Sequence, residues 1–199
     1  TLAGRGALGD ARLVELWLRL HGRNPKVRAG TYDIPPRASA SQILAQLEKG
    51  DVVLESLTVV EGATFREFRR ALESHVRVKS TLRGRSDAEV MVALGHGGEH
   101  PEGRFFPDTY RFADGTTDRE ILQLAYRQMA AELEGAWAAR RRDLPIATSY
   151  EALILASIVE KETALPAERP MVAGVYTTRL RKRMRLQSDP TVIYGIGES

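Results

Sequence analysis

Apolar residues recur along most of this 199-residue chain at helical spacing, and each periodic stretch follows a polar residue that is suited to begin a helix. Four stretches begin with Ser or Thr followed three residues later by Glu, the capping-box pattern in which each side chain bonds the other residue's backbone N–H. The four pairs are Thr64/Glu67, Ser86/Glu89, Thr117/Glu120 and Thr148/Glu151. The longest predicted helix runs from Asp118 to about Arg142 and precedes the loop DLPIAT.

The first 60 residues have a different pattern, which predicts both helices and strands. Asp10 precedes the helical stretch ARLVELWLRLHG, and Ser39 precedes ASQILAQLEKG, which ends at Gly50. Short β-strands are predicted at GTYDI and VVLESLTVV, on either side of the Ser39 helix. We therefore predict an α+β protein with a small α+β unit at 1–60 and a mainly helical domain at 61–199.

Composition narrows the possible classes of protein. Hydrophobic residues make up 43% of the chain, enough for a core, and the net charge is only +3. The absence of cysteine excludes disulfides, thiolate metal sites and cysteine nucleophiles. No apolar run approaches the roughly 18 residues of a membrane span, and no signal-peptide pattern is present. The sequence begins and ends within patterned stretches, so we expect a fragment of a longer protein.

One carboxylate stands out in the stretch ASIVEKETALPAER. On a helical wheel, Glu162 lies at the centre of the apolar arc formed by Ile154, Leu155, Ile158 and Val159. Glu160 lies on nearly the opposite side, and we expect it to be a solvated or ion-paired neighbour. A carboxylic acid that is partly desolvated at the C-terminal end of a helix favours its neutral form and can serve as a general acid. Alternatively, the helix frays after Val159 and Glu162 reaches water.

The segment EGRFFPDTYRF, residues 102–112, places four aromatic residues around a Pro-Asp-Thr turn. Such rings suit a groove that holds amphipathic ligands, including sugars. The alternative is a loop that Phe105 and Phe106 attach to the core.

The segment MRLQSDPTVIYG, residues 184–195, concentrates hydrogen-bonding side chains beside a strand-like apolar run. These are Gln187, Ser188, Asp189 and Thr191, which surround Pro190. They suit polar ligand contacts, although a turn that bonds only its own backbone would have the same composition.

Together, these three segments resemble the endolytic murein transglycosylases, the MltG or YceG-like family. The family's SIVEKET helix, RLRxGMRLQTDPTVIYG segment and EGxFxPDTY loop match residues 157–163, 179–195 and 102–110. KVRAGTYDI at 26–34 and VVEG at 59–62 also resemble family segments. The resemblance covers nearly the whole chain in order, with Arg183 standing where the family has glycine.

The resemblance implies cleavage of the β-1,4 bond between N-acetylmuramic acid and N-acetylglucosamine in peptidoglycan, which leaves a 1,6-anhydro-muramyl end. The family's catalytic glutamate matches Glu162, which would act first as general acid and then as base. Expected neighbours of the developing positive charge are Gln187, Asp189 and Tyr194. Asp108 and Tyr110 are expected to line the glycan groove. No metal or other cofactor is expected.

The resemblance also implies an architecture and a location. The N-terminal unit would be an incomplete LysM-like module, and the helical part a lysozyme-like catalytic domain that is truncated at its C-terminus. The family is anchored at the outer, periplasmic face of the bacterial inner membrane by a segment that this sequence lacks, so we expect this fragment to be soluble. Expected partners are peptidoglycan glycan strands and wall-synthesis proteins.

Four alternatives receive less support from the residues. A zinc site at His96 and His100 would lie across two glycines in a loop. The basic runs RLRKRMR and ARRRDL fall at helix ends, where cations complement the helix dipole without any nucleic acid. A pyridoxal-phosphate lyase would need Lys161 as a Schiff base and a phosphate cradle. A glycan-binding module without catalysis would not depend on Glu162.

Overall fold

The computed structural model describes residues 31–50 and 52–195, which form helices and one small sheet. The helices are α1 (Ala40–Lys49), α2 (Phe65–Ser74), α3 (Asp87–Leu94), α4 (Asp118–Ala138), α5 (Ser149–Glu162), α6 (Arg169–Arg181) and α7 (Asp189–Gly195). The strands β1 (Leu54–Thr58) and β2 (Thr109–Ala113) pair in an antiparallel sheet. The predicted α+β class is confirmed, and the helix predicted after Asp10 lies outside the described residues.

The two predicted N-terminal strands have different outcomes. VVLESLTVV contains β1, whereas the described residues of GTYDI, 31–34, are not part of a strand. The carbonyl of Thr31 does accept a hydrogen bond from the Val53 N–H at 2.8 Å. Pro35 and Pro36 follow immediately and have no N–H to continue a ladder, which limits this pairing.

The chain divides into two compact units. The first comprises Thr1–Ser56 with Arg111–Thr116, and the second Leu57–Tyr110 with Thr117–Ser199. In the first unit, α1 buries Ile43, Leu44 and Leu47 along one face. In the second unit, α5 packs against α4, α6 and α7. The second unit contains all the site residues predicted from the sequence.

The predicted capping boxes determine where most of the helices begin. Three are complete, with reciprocal bonds between Thr64 and Glu67, Ser86 and Glu89, and Thr117 and Glu120. Hydrogen bonds from the capping residue lower the pKa of each of these three glutamates. At the start of α5 only half of the box forms, because the Glu151 carboxylate accepts the Ala147 N–H at 2.6 Å instead of the Thr148 N–H.

Helix α4 ends about four residues earlier than the sequence predicts. Beyond Ala138, the Arg140 guanidinium lies 3.6 Å from the centre of the Trp137 ring and donates to the Trp137 carbonyl at 2.7 Å. This side chain satisfies a backbone acceptor at the end of the helix, which the run of helix-favouring residues in the sequence does not reveal.

A buried carboxylate fixes the start of α4. Asp118 is only 3% exposed, and it accepts hydrogen bonds from the backbone N–H groups of Thr81 and Leu82 at 2.9 Å and from the Thr81 hydroxyl at 2.5 Å. Burial acts to raise the pKa of Asp118, but the hydrogen bonds from Thr81, Leu82 and Arg119 outweigh it, so the pKa is lowered. The charged form is therefore stabilised by the fold.

We expect Asp118→Asn to reduce the free energy of unfolding by about 2–3 kcal/mol at pH 7, since the amide nitrogen would face backbone N–H donors. Because the folded pKa lies below the ordinary 3.8, the contribution of Asp118 is complete above that value and is lost as the pH falls through the folded pKa. Urea unfolding at pH 7 and in acid measures both effects, and the difference between protein and variant should shrink in acid.

Asp87→Asn is the matched control for this prediction. Asp87 is half-exposed and pairs with Arg69 at 2.7 Å, so its loss should cost less than about 1 kcal/mol. Equal effects of the two variants would contradict the special role of Asp118.

A left-handed residue ends α6. Arg183 has φ +53°, its N–H donates to the Leu180 carbonyl at 3.0 Å, and the Met184 N–H donates to the Arg179 carbonyl at 2.9 Å. These two bonds are those of a Schellman motif, in which the left-handed position is usually glycine. The glycine that the resemblance predicts at this position therefore has a conformational reason.

We expect Arg183→Gly to raise the free energy of unfolding by about 1 kcal/mol, because glycine adopts the left-handed conformation without a Cβ clash. The neighbouring Lys182, with φ −84°, provides the control. Lys182→Gly should lower stability by about 0.5–1 kcal/mol through added backbone freedom. Thermal unfolding of both variants measures the contrast, and two changes of the same sign would contradict it.

Candidate active site

The C-terminal turn of α5 carries the carboxylate that the sequence singles out. Ile158 and Val159 are buried against Tyr176 of α6, with Leu155 packed on the same cluster. Glu162 is the last residue of α5, after which Thr163 takes an extended conformation. The predicted helix therefore continues to Glu162 and does not fray after Val159.

The expected desolvation of Glu162 is wrong for this structure, because its side chain is exposed. The apolar arc is also narrower than predicted, since Ile154 is 45% exposed. Helix α6 covers α5 at Ile158 and Val159, but the chain leaves the helix directly after Glu162. The preceding turn of α5 is therefore buried, whereas the Glu162 carboxylate extends into solvent.

A single described side chain hydrogen-bonds the Glu162 carboxylate. The Ser188 hydroxyl donates to Glu162 Oε2 at 3.1 Å, and Ser188 itself is only 2% exposed. Ser188 belongs to the polar set noted in the sequence but is absent from the residues predicted to contact a substrate. The spacing of 26 residues between donor and acceptor gives no local signal of this contact.

The two charged neighbours of Glu162 are engaged elsewhere. Glu160 forms an ion pair with Arg169 of α6 at 2.9 Å. The Lys161 ammonium donates to the Gly62 carbonyl at 3.2 Å. The prediction that Glu160 is a solvated or ion-paired neighbour is therefore confirmed. Of the two carboxylates in this stretch, that of Glu162 faces solvent.

The segment after α6 forms a helix, so the strand-like run expected after Pro190 is wrong. Helix α7 begins at Asp189, and the Ser188 carbonyl accepts the Thr191 N–H at 3.2 Å and the Thr191 hydroxyl at 2.6 Å. The turn therefore bonds its own backbone, as the simpler alternative predicts, while it also directs the Ser188 hydroxyl to Glu162. The ligand contacts expected of this segment stay a prediction.

Gln187 and Asp189 lie on either side of Ser188 and are exposed. Gln187 has φ +53°, and its Oε1 accepts a hydrogen bond from Arg179 at 3.2 Å. Asp189 is the first residue of α7. Both predicted residues are thus adjacent along the chain to the residue that contacts Glu162.

Tyr194 lies at the other end of α7 and is 52% exposed. Partial burial, and then the nearby Glu102 and Tyr150, raise the pKa of its phenol. Tyr150 lies in the first turn of α5, and the Arg104 guanidinium is 4.4 Å from the centre of its ring. Tyr194 is therefore influenced by the charge of Glu102 and by Tyr150, which lies at the end of α5 opposite Glu162.

The structure places Tyr110 in the core and not along an exposed groove. It is 3% exposed, its ring stacks on Phe68 at 5.8 Å, and its hydroxyl donates to the Phe106 carbonyl. Burial, and secondly the Asp108 carboxylate, raise the pKa of Tyr110 to about 12. Asp108 itself is exposed, and its carboxylate accepts the Thr109 N–H at 2.6 Å.

The aromatic residues of the 102–112 loop attach it to the core. Phe105 stacks on Phe65 at 4.8 Å and contacts Phe68 edge-on at 6.1 Å. The Glu102 carboxylate accepts the Phe65 N–H at 3.1 Å and so caps the start of α2. These contacts favour the structural interpretation of the loop over an aromatic groove.

His96 and His100 each have local contacts. His96 stacks on Tyr126 at 3.7 Å and lies 3.6 Å from a carboxylate oxygen of Glu99, and His100 accepts the Glu102 N–H at 3.3 Å. Within residues 31–50 and 52–195, no three His, Asp or Glu side chains converge as metal ligands.

No helix in the same part of the chain is both long and apolar enough to cross a bilayer.

Comparison with known proteins assigns the class to which this fold and site belong. The chain matches the YceG-like family over residues 1–199, and it is a member of that family. The resemblance noted in the sequence is confirmed.

Two relatives are described as endolytic murein transglycosylases. The protein of Bacillus subtilis is 27% identical over 189 residues, and that of Streptococcus pneumoniae strain D39 is 26% identical over 201. Each match covers 86% of this chain but only 52% and 36% of the respective relative. The chain therefore spans about half or less of the length of these relatives.

A crystal structure of a YceG-like protein from Listeria monocytogenes has a similar fold. The TM-score is 0.53 at 23% identity, and the match covers 100% of this chain and 70% of the other. At this identity, the likeness shows the fold alone.

We expect Tyr110→Phe to lower the free energy of unfolding by about 1 kcal/mol, because the partly buried Phe106 carbonyl loses its donor. Tyr194→Phe is the control, since this exposed phenol should change stability by less than about 0.5 kcal/mol. Chemical denaturation of both variants measures the difference. An unchanged stability of Tyr110→Phe would be the result expected of a groove-lining residue.

Proposed function

We propose that this protein cleaves peptidoglycan glycan strands as an endolytic transglycosylase, between N-acetylmuramic acid and N-acetylglucosamine, and leaves 1,6-anhydro-muramyl ends. Membership of the YceG-like family and the names of the two relatives support this activity. The observation that carries the proposal is the exposed Glu162 carboxylate, held at the end of α5 by the buried Ser188 hydroxyl.

Glu162 would perform two successive proton transfers. As a neutral acid it gives its proton to the glycosidic oxygen while the bond from C1 to that oxygen breaks, so that positive charge develops at the muramyl C1. The resulting carboxylate then takes the proton of the muramyl 6-hydroxyl as O6 attacks C1. The glutamate is regenerated in its acid form, and no water is consumed.

One carboxylate suffices because the nucleophile belongs to the substrate. Ordinary retaining and inverting glycosidases use a second carboxylate as nucleophile or to activate water. Glu160 is a poor candidate for that role, since it is paired with Arg169 at 2.9 Å. The arrangement supports internal attack by the 6-hydroxyl.

The exposure of Glu162 gives the substrate a part in preparing the acid. A glycan strand lying over the end of α5 would exclude water from the carboxylate and favour its neutral form. Gln187 and Asp189, on either side of Ser188, are exposed and would support the developing charge. Tyr194 and Asp108 are exposed and would contact the strand farther along, whereas the buried Tyr110 would serve the fold.

The wider architecture follows from the same resemblance. Residues 1–60 would form a LysM-like module that holds N-acetylglucosamine-containing glycans, and residues 61–199 would belong to a lysozyme-like catalytic domain. The whole protein would act at the periplasmic face of the inner membrane beside wall-synthesis proteins.

We expect Glu162→Gln to reduce cleavage by about 10²–10⁴-fold, since an amide can neither give nor take the proton. Glu160→Gln is the matched control two residues away, and it should retain most of the activity because it loses only a surface ion pair. Digestion of purified sacculi, followed by mass spectrometry of the new ends, measures both.

Three results would contradict this proposal in different ways. Full activity of Glu162→Gln would exclude Glu162 as the acid. Reducing muramyl ends would indicate hydrolysis by water. Binding to sacculi without any new ends would leave a glycan-binding module.

A further inference from the structure

We infer that Ser188 is a positioning residue for the reaction, one that orients the Glu162 carboxylate. This inference rests on the proposed function of Glu162. The Ser188 hydroxyl donates to Glu162 Oε2 at 3.1 Å, and the donor is 2% exposed whereas the acceptor residue is exposed. A buried donor therefore holds one oxygen of an otherwise solvent-facing side chain.

Ser188 is held in place by contacts that do not involve Glu162. Its carbonyl accepts the Thr191 hydroxyl at 2.6 Å and the Thr191 N–H at 3.2 Å. Just before it, Arg179 of α6 donates to the Leu186 carbonyl and to Gln187 Oε1. These bonds tie the segment to α6 on one side and to α7 on the other, and α7 packs on α5. The hydroxyl thus has a fixed position from which to orient the glutamate.

Orientation matters here because Glu162 ends its helix with few packing contacts. A free glutamate side chain samples several rotamers, and each would place the proton differently relative to a bound sugar. A hydrogen bond to Oε2 selects one arrangement and leaves Oε1 to carry the proton. Holding a catalytic group in its reactive geometry accelerates the chemical step more than it strengthens substrate binding.

The same hydrogen bond is compatible with both steps. The hydroxyl can donate to Oε2 whether the glutamate is neutral, with its proton on Oε1, or ionised. The proton leaves Oε1 for the glycosidic oxygen and returns to Oε1 from the 6-hydroxyl, while Ser188 keeps its own proton. The neighbouring charges are engaged in other contacts, since Glu160 pairs with Arg169 and Lys161 donates to Gly62.

The test is a kinetic comparison of Ser188→Ala with Ser188→Thr on purified glycan strands. We expect the alanine variant to lose about tenfold in kcat with KM within about twofold, because binding is retained while the acid loses its orientation. Threonine restores the hydroxyl and should recover most of the kcat. Ser157→Ala is the matched control on α5, where the hydroxyl bonds only the Ile154 carbonyl at 2.8 Å; its kcat should be unchanged.

Two further measurements keep the test decisive. Ser188→Cys fills the space of the hydroxyl with a somewhat larger thiol that is a much weaker donor, so it should lose kcat even if the alanine variant folds poorly. Thermal unfolding of Ser188→Ala, Glu162→Ala and the double variant should show non-additive midpoints, because both single changes remove the same hydrogen bond.

The outcomes separate this inference from the proposed function. Full activity of Glu162→Gln would overturn the proposed function. An inactive Glu162→Gln together with a parental kcat for Ser188→Cys or Ser188→Ala would overturn only the role of Ser188. A loss of kcat that Ser188→Thr fails to restore, at a parental unfolding midpoint, would also overturn it.

Discussion

The packing of α5 on α6 is the interaction on which the candidate site depends. Ile158 and Val159 are buried against Tyr176 of α6. This contact fixes the rotation of α5 about its axis, and it also determines that α6 covers the helix up to Val159 but not as far as Glu162. Each buried aliphatic side chain contributes roughly 1.5–3 kcal/mol relative to an exposed one. The position of Glu162 is therefore determined by a core three residues earlier in the chain, and not by contacts of the carboxylate alone. A rotation of α5 would move the acid and its Ser188 donor apart.

The same packing gives three consecutive charged residues three different environments. A helix turns about 100° per residue, so Glu160, Lys161 and Glu162 point in separate directions. Glu160 meets Arg169 of α6, Lys161 meets the Gly62 carbonyl, and Glu162 meets Ser188. The two neighbours are each occupied by an ionic or polar partner, which leaves Glu162 as the accessible acid. A single accessible carboxylate would suit the proposed reaction, in which the nucleophile comes from the substrate.

The features predicted from the sequence are those that depend on nearby residues. Three complete capping boxes and the distinction between Glu160 and Glu162 follow from spacings of a few residues, and the structure contains them. The exposure of Glu162 does not follow, because a helical wheel gives the direction of a side chain and not the extent of the element that covers it. The burial of Tyr110 and the bond from Ser188 likewise depend on chain segments far apart in sequence. Helix α7 formed against strand-like local residues because its packing on α5 outweighs intrinsic propensity.

The exposure of Glu162 changes how this residue would act as the proposed general acid. A general acid buried in the free protein is prepared in advance, as in sites where an apolar pocket keeps a carboxyl group neutral. Here the Ser188 hydroxyl bonds the carboxylate but leaves it in water, so in the proposed reaction desolvation would have to come from the glycan itself. Proton transfer would then become efficient only when a strand covers the end of α5. In the proposed reaction, such an arrangement would make proton transfer depend on the presence of the bound glycan strand.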